Sequence, residues 1–304
     1  MKKILLFSPL CKPKKVLEVT LPSMLKQLPD GFKIDVLFYN DNNTKEAEDY
    51  VDSLHQPDHN IIVEKNWIDS TSSYKKHNWT EEKVDRIIFI KNKAITLAKE
   101  NKYDVLFLVD ADLVLNPNTL AHLNTLNKDF VFELFWTLFT DQTFVKPNCW
   151  DVHSWSYTNP NTILQLQNPG TYKVGAGGAC TLISKKALDA GVNFSRISNL
   201  GFNGEDRHIC TRAECLGFDI FIDTHYPAYH IHNPKNVDEA RSWYKNGAKR
   251  DFFDAWLGKD WENKVNQLCA KKEKYKPKTK IELYRTALYK AKQAYKNYLR
   301  YNSI

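Results

Sequence analysis

Asp110 and Asp112 stand one residue apart at the end of an apolar run, Leu106-Phe107-Leu108-Val109. Two ionised carboxylates at the end of a buried strand repel each other and lose hydration. A divalent cation with oxygen ligands relieves both penalties, and Mg2+ or Mn2+ commonly brings phosphates with it. The plainer alternative is a strand that ends in a turn, with Asp112 as a cap. Two further groups could join such chemistry. His230 and His232 follow Pro227 at alternate spacing, and imidazole suits Mn2+ better than Mg2+; otherwise each is a structural or exposed histidine. Glu205 and Asp206 follow Gly204 at a helix start. They either interact with the helix dipole and cap its N-terminus, or supply a general base or an acceptor-binding carboxylate.

The elements that must position these groups alternate in type. Lys3–Phe7 reads as a first buried strand, Val16–Leu28 as a helix closed by Pro29-Asp30-Gly31, and Phe32–Tyr39 as a second strand. A helix over Thr44–Leu54, a short strand over Asn60–Val63 and a helix over Lys83–Glu100 lead to the strand Val105–Val109. Thr119–Leu126 is a further helix. This order predicts a doubly wound, mostly parallel α/β sheet flanked by helices. Ligands of such sheets sit beyond the carboxyl ends of the strands, where Asp41, Asp110 and Asp112 fall. Beyond residue 130 the pattern changes. Val131–Phe139 is strand-like, residues 140–170 form a loop rich in Trp, Asn and Pro, and Val174–Ile183 is a Gly-rich strand. A helix starts at Ser184, another ends at Leu216, and Phe218–Asp223 is a late strand. Residues 1–245 are expected to form the catalytic domain and 246–304 a basic, Tyr-rich helical extension.

The chain has 304 residues, of which 42% are hydrophobic and 26% charged, enough for a real core. Its net charge of +7 is uneven. Lys271–Ile304 holds nine Lys and two Arg against two Glu, a net +9, which leaves −2 for residues 1–270. Six cysteines at 11, 149, 180, 210, 215 and 269 show no CxxC spacing and read as reduced, buried thiols of an intracellular protein. The apolar run Ile4–Phe7 is too short for a signal peptide and no run reaches a membrane span. A cytoplasmic location is expected.

Taken together, "KNKAITLAKENKYDVLFLVDADLVLNP", "PNCWDVHSW", "VGAGGACTLISKKAL", "GEDRHICTRAECLGF" and "YHIHN" follow the motif order of the GT-A glycosyltransferases, which use nucleotide-sugar donors. The resemblance runs over about Lys3 to Asn233. "PNCW…HSW", the Gly-rich strand and "AYH" are most similar to the fungal mannosyltransferases of mannan synthesis. "GED" is more similar to glycosyltransferase family 2 and to galactosyltransferases with a GGED loop. The resemblance implies a GT-A (Rossmann-like) fold and a metal-dependent hexosyltransferase. It places Asp110 near the donor ribose or the metal, Asp112 on the metal, and His230, or failing that His232, as the late metal ligand. Asp41 would meet the base or ribose. Asn92 matches the Asn of the family's Arg-Asn pair, with Lys91 where the family has Arg, so that a single ammonium replaces a bidentate fork. Gly177 and Gly178 match the tight strand that admits the acceptor. Asp206, with Glu205 beside it, matches the catalytic base of inverting members. The mannosyltransferase likeness implies retention instead; Asp206 favours inversion, because one carboxylate can deprotonate the attacking hydroxyl.

Trp150, Trp155 and Tyr157 are candidates for stacking on sugar faces, with core packing as the alternative. The expected cofactor is Mn2+ or Mg2+, and the expected partners are a UDP- or GDP-sugar donor and a glycan, lipid-linked or protein acceptor. Nucleic acid is not expected. Two other functions compete. A sugar-phosphate nucleotidyltransferase would need a Gly-rich phosphate loop after the first strand, and SPLCKPKK has no glycine. A catalytically inactive sugar-nucleotide-binding protein would have lost Asp112 or the late histidine, and both are present. In the tail, Leu283, Tyr284, Ala287, Leu288, Ala291, Ala294, Tyr295, Tyr298 and Leu299 recur at helical spacing, flanked by Lys290, Lys292, Lys296 and Arg300. Such a helix either packs on the catalytic domain or makes a peripheral contact with anionic lipid.

Overall fold

In the computed structural model, the described residues are 2–29, 31–68, 80–137, 145–156, 159–200, 204–253 and the single positions 288, 291 and 292. Contacts divide the chain into two compact units, Met1–Lys259 and Asp260–Ile304. Apart from those three positions the expected tail helix lies outside the described residues, as does Tyr157.

The first unit runs β1 (Lys2–Leu10), α1 (Lys14–Leu25), β2 (Phe32–Asn40), α2 (Lys45–Asp52), β3 (Asn60–Glu64), α3 (Glu81–Glu100), β4 (Val105–Val109), β5 (Leu113–Val114), α4 (Thr119–Thr125) and β6 (Phe130–Thr137). It continues with β7 (Lys146–Pro147), β8 (Cys149–Trp150), α5 (Pro160–Leu166), β9 (Thr171–Lys173), β10 (Ala176–Gly177), β11 (Cys180–Ser184), α6 (Lys185–Ala190), α7 (Asp206–Cys215), β12 (Phe221–His230) and α8 (Val237–Lys245). The main sheet has the order β3-β2-β1-β4-β11-β6-β12-β5, with β7 on β6 and β9 on β12. β1, β2, β3 and β4 pair in parallel, as do β6 and β12, whereas β11 runs antiparallel to both β4 and β6. The result is an α/β architecture with a central mixed sheet flanked by helices.

Strand alternation sends Ile4 and Leu6 to one face, where they pack with Leu17, Leu21 and Met24 of α1, Val51 of α2 and Leu120 of α4. Leu5 and Phe7 take the opposite face, the side on which α3 meets β1 and β4. All five residues of β4 are buried, which is why they read as a continuous apolar run.

Several expectations are corrected. The Gly-rich stretch is not one strand: it breaks between Gly177 and Cys180 into β10, paired with β8, and β11 of the main sheet. The late strand does not end at Asp223 but reaches His230, with a register shift between Asp223 and Ala228. That irregularity admits polar residues a regular buried strand would exclude. The cysteines are not uniformly buried: Cys149, Cys180 and Cys210 are, Cys11 is intermediate and Cys215 is exposed.

One polar row of α1 fixes the segment that carries the carboxylates. Thr20 Oγ1 donates to the Ala111 carbonyl at 2.9 Å, and Ser23 Oγ accepts from the Leu115 N–H at 3.0 Å. Gln27 spans the rest: its Nε2 donates to the Asn116 carbonyl at 2.9 Å and its Oε1 accepts from the Leu120 N–H, also at 2.9 Å. Gln27 thereby satisfies a first-turn N–H of α4 that no intrahelical carbonyl can reach. All three side chains are fully buried. Replacing Gln27 by Leu keeps the volume and removes its bonds to three backbone groups, the Asn116 and Ser23 carbonyls and the Leu120 N–H. The expected loss is about 1–3 kcal/mol for each stranded group, read as a lower urea midpoint with an unchanged slope. An unchanged midpoint would remove Gln27 from this role.

Candidate active site at the carboxyl ends of the strands

After β4 the chain turns at once. The Leu113 N–H donates to the Asp110 carbonyl at 3.2 Å, and the Asp110 N–H donates to the Ala179 carbonyl at 2.8 Å. Ala179 has a left-handed φ of 68°, uncommon for a residue with a side chain, at the point where the Gly-rich segment passes from β10 to β11. β5 then pairs with the end of β12, His230 opposite Leu113, and the Ile231 N–H donates to the Asp112 carbonyl at 2.8 Å. Ala111 is buried, while Asp110 keeps 37% of its side chain exposed.

Two cation-centred groups of carboxylates result. In the first, Lys91 of α3, with 3% of its side chain exposed, has its Nζ 2.6 Å from Glu205 Oε1, 3.4 Å from Asp110 Oδ1 and 3.8 Å from Asp206 Oδ1. Glu205 makes no side-chain cap on α7; its carboxylate turns to Lys91 instead. The turn into α7 begins at Gly204, whose φ of 113° is open to glycine. In the second group, Asp112 Oδ2 lies 2.6 Å from Lys12 Nζ and 3.4 Å from His230 Nε2. Thr137 Oγ1 holds His230 Nδ1 at 2.7 Å, which turns Nε2 toward Asp112. The His232 ring packs edge-on against His230 at 5.5 Å.

The two groups differ in protonation. Burial works to raise Asp112, but Lys12 and His230 outweigh it and hold this carboxyl well below the usual range. Burial also raises Asp206, Glu205 adds to the rise, and Lys91 only partly offsets them, so Asp206 sits well above the usual range. Asp110 is raised by burial, with Lys91 opposing and Asp112 and Glu205 reinforcing. For Lys91 burial favours the neutral amine, yet Asp110, Glu205 and Asp206 together keep it charged. Asp112 is therefore a fixed anion, and Asp206 is tuned toward neutrality, where a proton can be taken up.

Gly178 belongs to this site for a steric reason. A Cβ there would stand 1.9 Å from Asp206 Oδ2 and 2.2 Å from its Cγ. Gly177 faces inward: its Cβ would meet the Phe132 ring at 2.7 Å. The other sequence candidates lie at different places. Asp41, at the end of β2, is gripped by both Arg86 Nε, at 2.8 Å, and Arg86 Nη2. Asn92 Oδ1 accepts from the Phe194 N–H at 2.7 Å and its Nδ2 donates to Ser195 Oγ at 3.2 Å. Trp150 and Trp155 lie 5.4 and 5.3 Å from the Arg207 guanidinium. Lys12, Arg86, Thr137 and Arg207 were not among the sequence candidates. Lys12 had a signal, a lysine directly after a strand end; Thr137 and Arg207 had none without the fold.

Asp112 Oδ2 and His230 Nε2 are donor atoms of the kind a divalent cation takes, but Lys12 Nζ, 2.6 Å from that carboxylate oxygen, already neutralises it and must withdraw before a cation binds. Between α4 and β12, His122, Asp223 and His225 form a group capable of coordinating a metal ion, with ligand atoms within 4.8 Å of one another.

No family model matches the chain, and no curated protein matches it. Among solved structures, the chain is similar to A197 from STIV at 11% identity and a TM-score of 0.42, covering 77% of this chain and 87% of that one. It is similar to S. aureus TarS 1-349 in complex with UDP-GlcNAc at 13% identity and a TM-score of 0.46, covering 75% and 58%. For S. aureus TarS the values are 15% and 0.47, with 79% of this chain and 38% of that one covered.

Gly178→Ala tests the packing of Asp206. The new methyl displaces the carboxylate from its place beside Glu205, which relieves both causes of its raised pKa. Carboxyl carbon NMR should show Asp206 titrating closer to the ordinary carboxylate range in the variant. An unmoved titration would mean that the backbone yields instead.

Proposed function

We propose that the chain is a GT-A-type glycosyltransferase that moves a sugar from a nucleoside diphosphate donor, a UDP- or GDP-sugar, to an acceptor hydroxyl. The observation that carries the reading is the meeting of Asp110, Asp112, Glu205 and Asp206 with Lys91, Lys12 and His230 at the carboxyl end of β4. These residues come from five separate segments, and their motif order resembles that family. A binding module needs cations for a diphosphate; it does not need a carboxylate whose pKa is raised beside one whose pKa is lowered. That division suits a site with one anion for binding and one for proton transfer.

In this reading Asp112 and His230 would hold Mn2+ or Mg2+, which would supply positive charge for the leaving diphosphate. Lys12 stands at the same carboxylate and shifts toward the phosphates as the donor enters. Asp110 would meet the ribose, and Asp41, held by Arg86, the base. Lys91 is closed in by carboxylates, so its part is to keep Asp110, Glu205 and Asp206 together; it is not a phosphate ligand. Asn92 acts at one remove, through the backbone at Phe194. Asp206 accepts the acceptor proton, which gives inversion. Trp150 is buried and packs in the core, the alternative to sugar stacking; Trp155, beside Arg207, supplies the face for a sugar acceptor, which is a glycan, a lipid-linked sugar or a protein. No helix among the described residues is long and apolar enough to cross a membrane. The basic tail is proposed to make the peripheral contact if the acceptor is lipid-linked.

Asp206→Asn is expected to lower turnover by about 10²-fold or more with little change in donor affinity. Its folded pKa is raised, so ionisation at neutral pH costs the folded state stability, and removing the charge should hold or raise Tm. In the unaltered chain the base must be ionised. Activity should therefore fall, as pH drops, at a pH above the ordinary carboxylate range. Loss of donor binding with turnover per bound donor intact would make Asp206 structural.

EDTA should abolish transfer and donor hydrolysis, and Mn2+ should restore both. Asp112→Ala should remove activity while the chain still folds. If activity survives EDTA but is lost in Lys12→Met, the lysine itself supplies the positive charge and the metal is not required.

A further inference from the structure

His122, Asp223 and His225 lie outside the cleft's chemistry, seven and five residues before His230 in the case of the two on β12. His122 comes from α4, which packs against β12. His122 Nε2 is 3.4 Å from Asp223 Oδ1, and His225 Nδ1 is 3.1 Å from the same oxygen and 3.0 Å from Oδ2. The two imidazole rings are 4.5 Å apart. A tetrahedral centre with ligand bonds of about 2.0–2.2 Å holds its ligand atoms roughly 3.3–3.6 Å apart. The two His–Asp separations are therefore close to tetrahedral edges before any ion is added.

The surroundings leave an electrostatic problem that a cation would solve. Asp223 sits in register with Glu133 on the neighbouring parallel strand, and neither carboxylate has any exposure. Asp223 is well served: Thr171 Oγ1 donates to Oδ2 at 2.8 Å and the His225 N–H to Oδ1 at 2.9 Å. Glu133 Oε1 accepts from the Leu134 N–H at 3.2 Å, while Oε2 closes no hydrogen bond, although the Tyr226 backbone and Arg250 face the carboxylate. His122 Nε2 is buried without a hydrogen-bond partner and points at Asp223. Burial and Asp223 hold Glu133 well above the usual carboxylate range, so it keeps its proton, and the groups left for a cation are the buried Asp223 carboxylate and the unpartnered His122 Nε2.

We infer that His122, Asp223 and His225 bind a transition-metal ion, Zn2+ by preference, in a three-ligand site with one open position that joins α4 to the irregular part of β12. Two imidazoles and one carboxylate favour Zn2+ over the oxygen-seeking Mg2+. His225, with 36% of its side chain exposed, marks the open side, where water completes the coordination. The site is separate from Asp112 and His230, and it would hold the strand whose far end presents His230.

The test uses the full chain carrying Asp112→Asn and His230→Gln, which removes the proposed catalytic ligands. After EDTA dialysis, calorimetric titration with ZnCl2 should give one site per chain. Zn2+ should raise Tm by roughly 5–10 °C at a free concentration about 100 times Kd. Adding His122→Gln should weaken binding at least tenfold and remove most of that shift. Mg2+ should do neither. Histidine imidazole NMR guards against a variant that fails to fold: in the His122-containing chain, Zn2+ should move the His122 and His225 signals. No stoichiometric Zn2+ binding, unchanged affinity in His122→Gln, or shifts confined to other histidines would each overturn the site and leave a hydrogen-bonded His–Asp–His cluster. None of these outcomes bears on the transferase reading.

Discussion

The candidate active site depends on one buried ion pair, Lys91 with Glu205. A lysine this enclosed keeps its charge only because Glu205, Asp110 and Asp206 surround it, and three carboxylates could not gather there without it. Its worth is therefore organisational. Removing Lys91 leaves three carboxylates facing one another without a counter-ion, which costs far more than the pair contributes over an apolar substitute. Through this pair α3 is tied to the start of α7, and β4 is tied to both.

That constraint explains why neighbouring residues are what they are. Gly178 has no side chain because Asp206 occupies the space. Glu205 leaves the N-terminus of α7 uncapped because Lys91 claims it. Asp112, one residue beyond the reach of Lys91, has its own counter-ions in Lys12 and His230, so two aspartates of the same motif are driven in opposite directions. The polar row Thr20, Ser23 and Gln27 supplies the rigidity: by holding the backbone of residues 111–120 it fixes where both carboxylates project. A site supported this way is set by packed elements rather than by a free loop.

The edge of the sheet around β12 follows a different logic. Its register shift allows Asp223, His225 and Glu133 to be polar within a buried strand pair, and His122 reaches them from α4. Here the sheet accommodates charge through local irregularity, whereas in the cleft it does so at strand ends. Both arrangements lie on one strand, which links the shape of β12 to the position of His230.

Much of the fold was legible in the sequence because it rests on local signals. The buried strands β1, β2 and β4 announce themselves as apolar runs, α3 as a helical period, and the strand-end position of Asp110 and Asp112 follows from where the apolar run stops. Glu205-Asp206 and His230 could be singled out for the same reason, by residue type beside a local boundary. Other facts are properties of the space between segments distant in sequence. The antiparallel insertion of β11, the break after Gly177, and the extension of β12 to His230 depend on which strands become neighbours. No local pattern could reveal that Lys12 and Asp112 would meet across 100 residues of chain, that Lys91, standing where the family has Arg, would be a buried counter-ion of three carboxylates, or that His122 would face Asp223. Residue type and spacing set which groups can carry charge; only tertiary packing sets which charges share a volume, and in a low-dielectric interior that proximity decides their protonation and their chemistry.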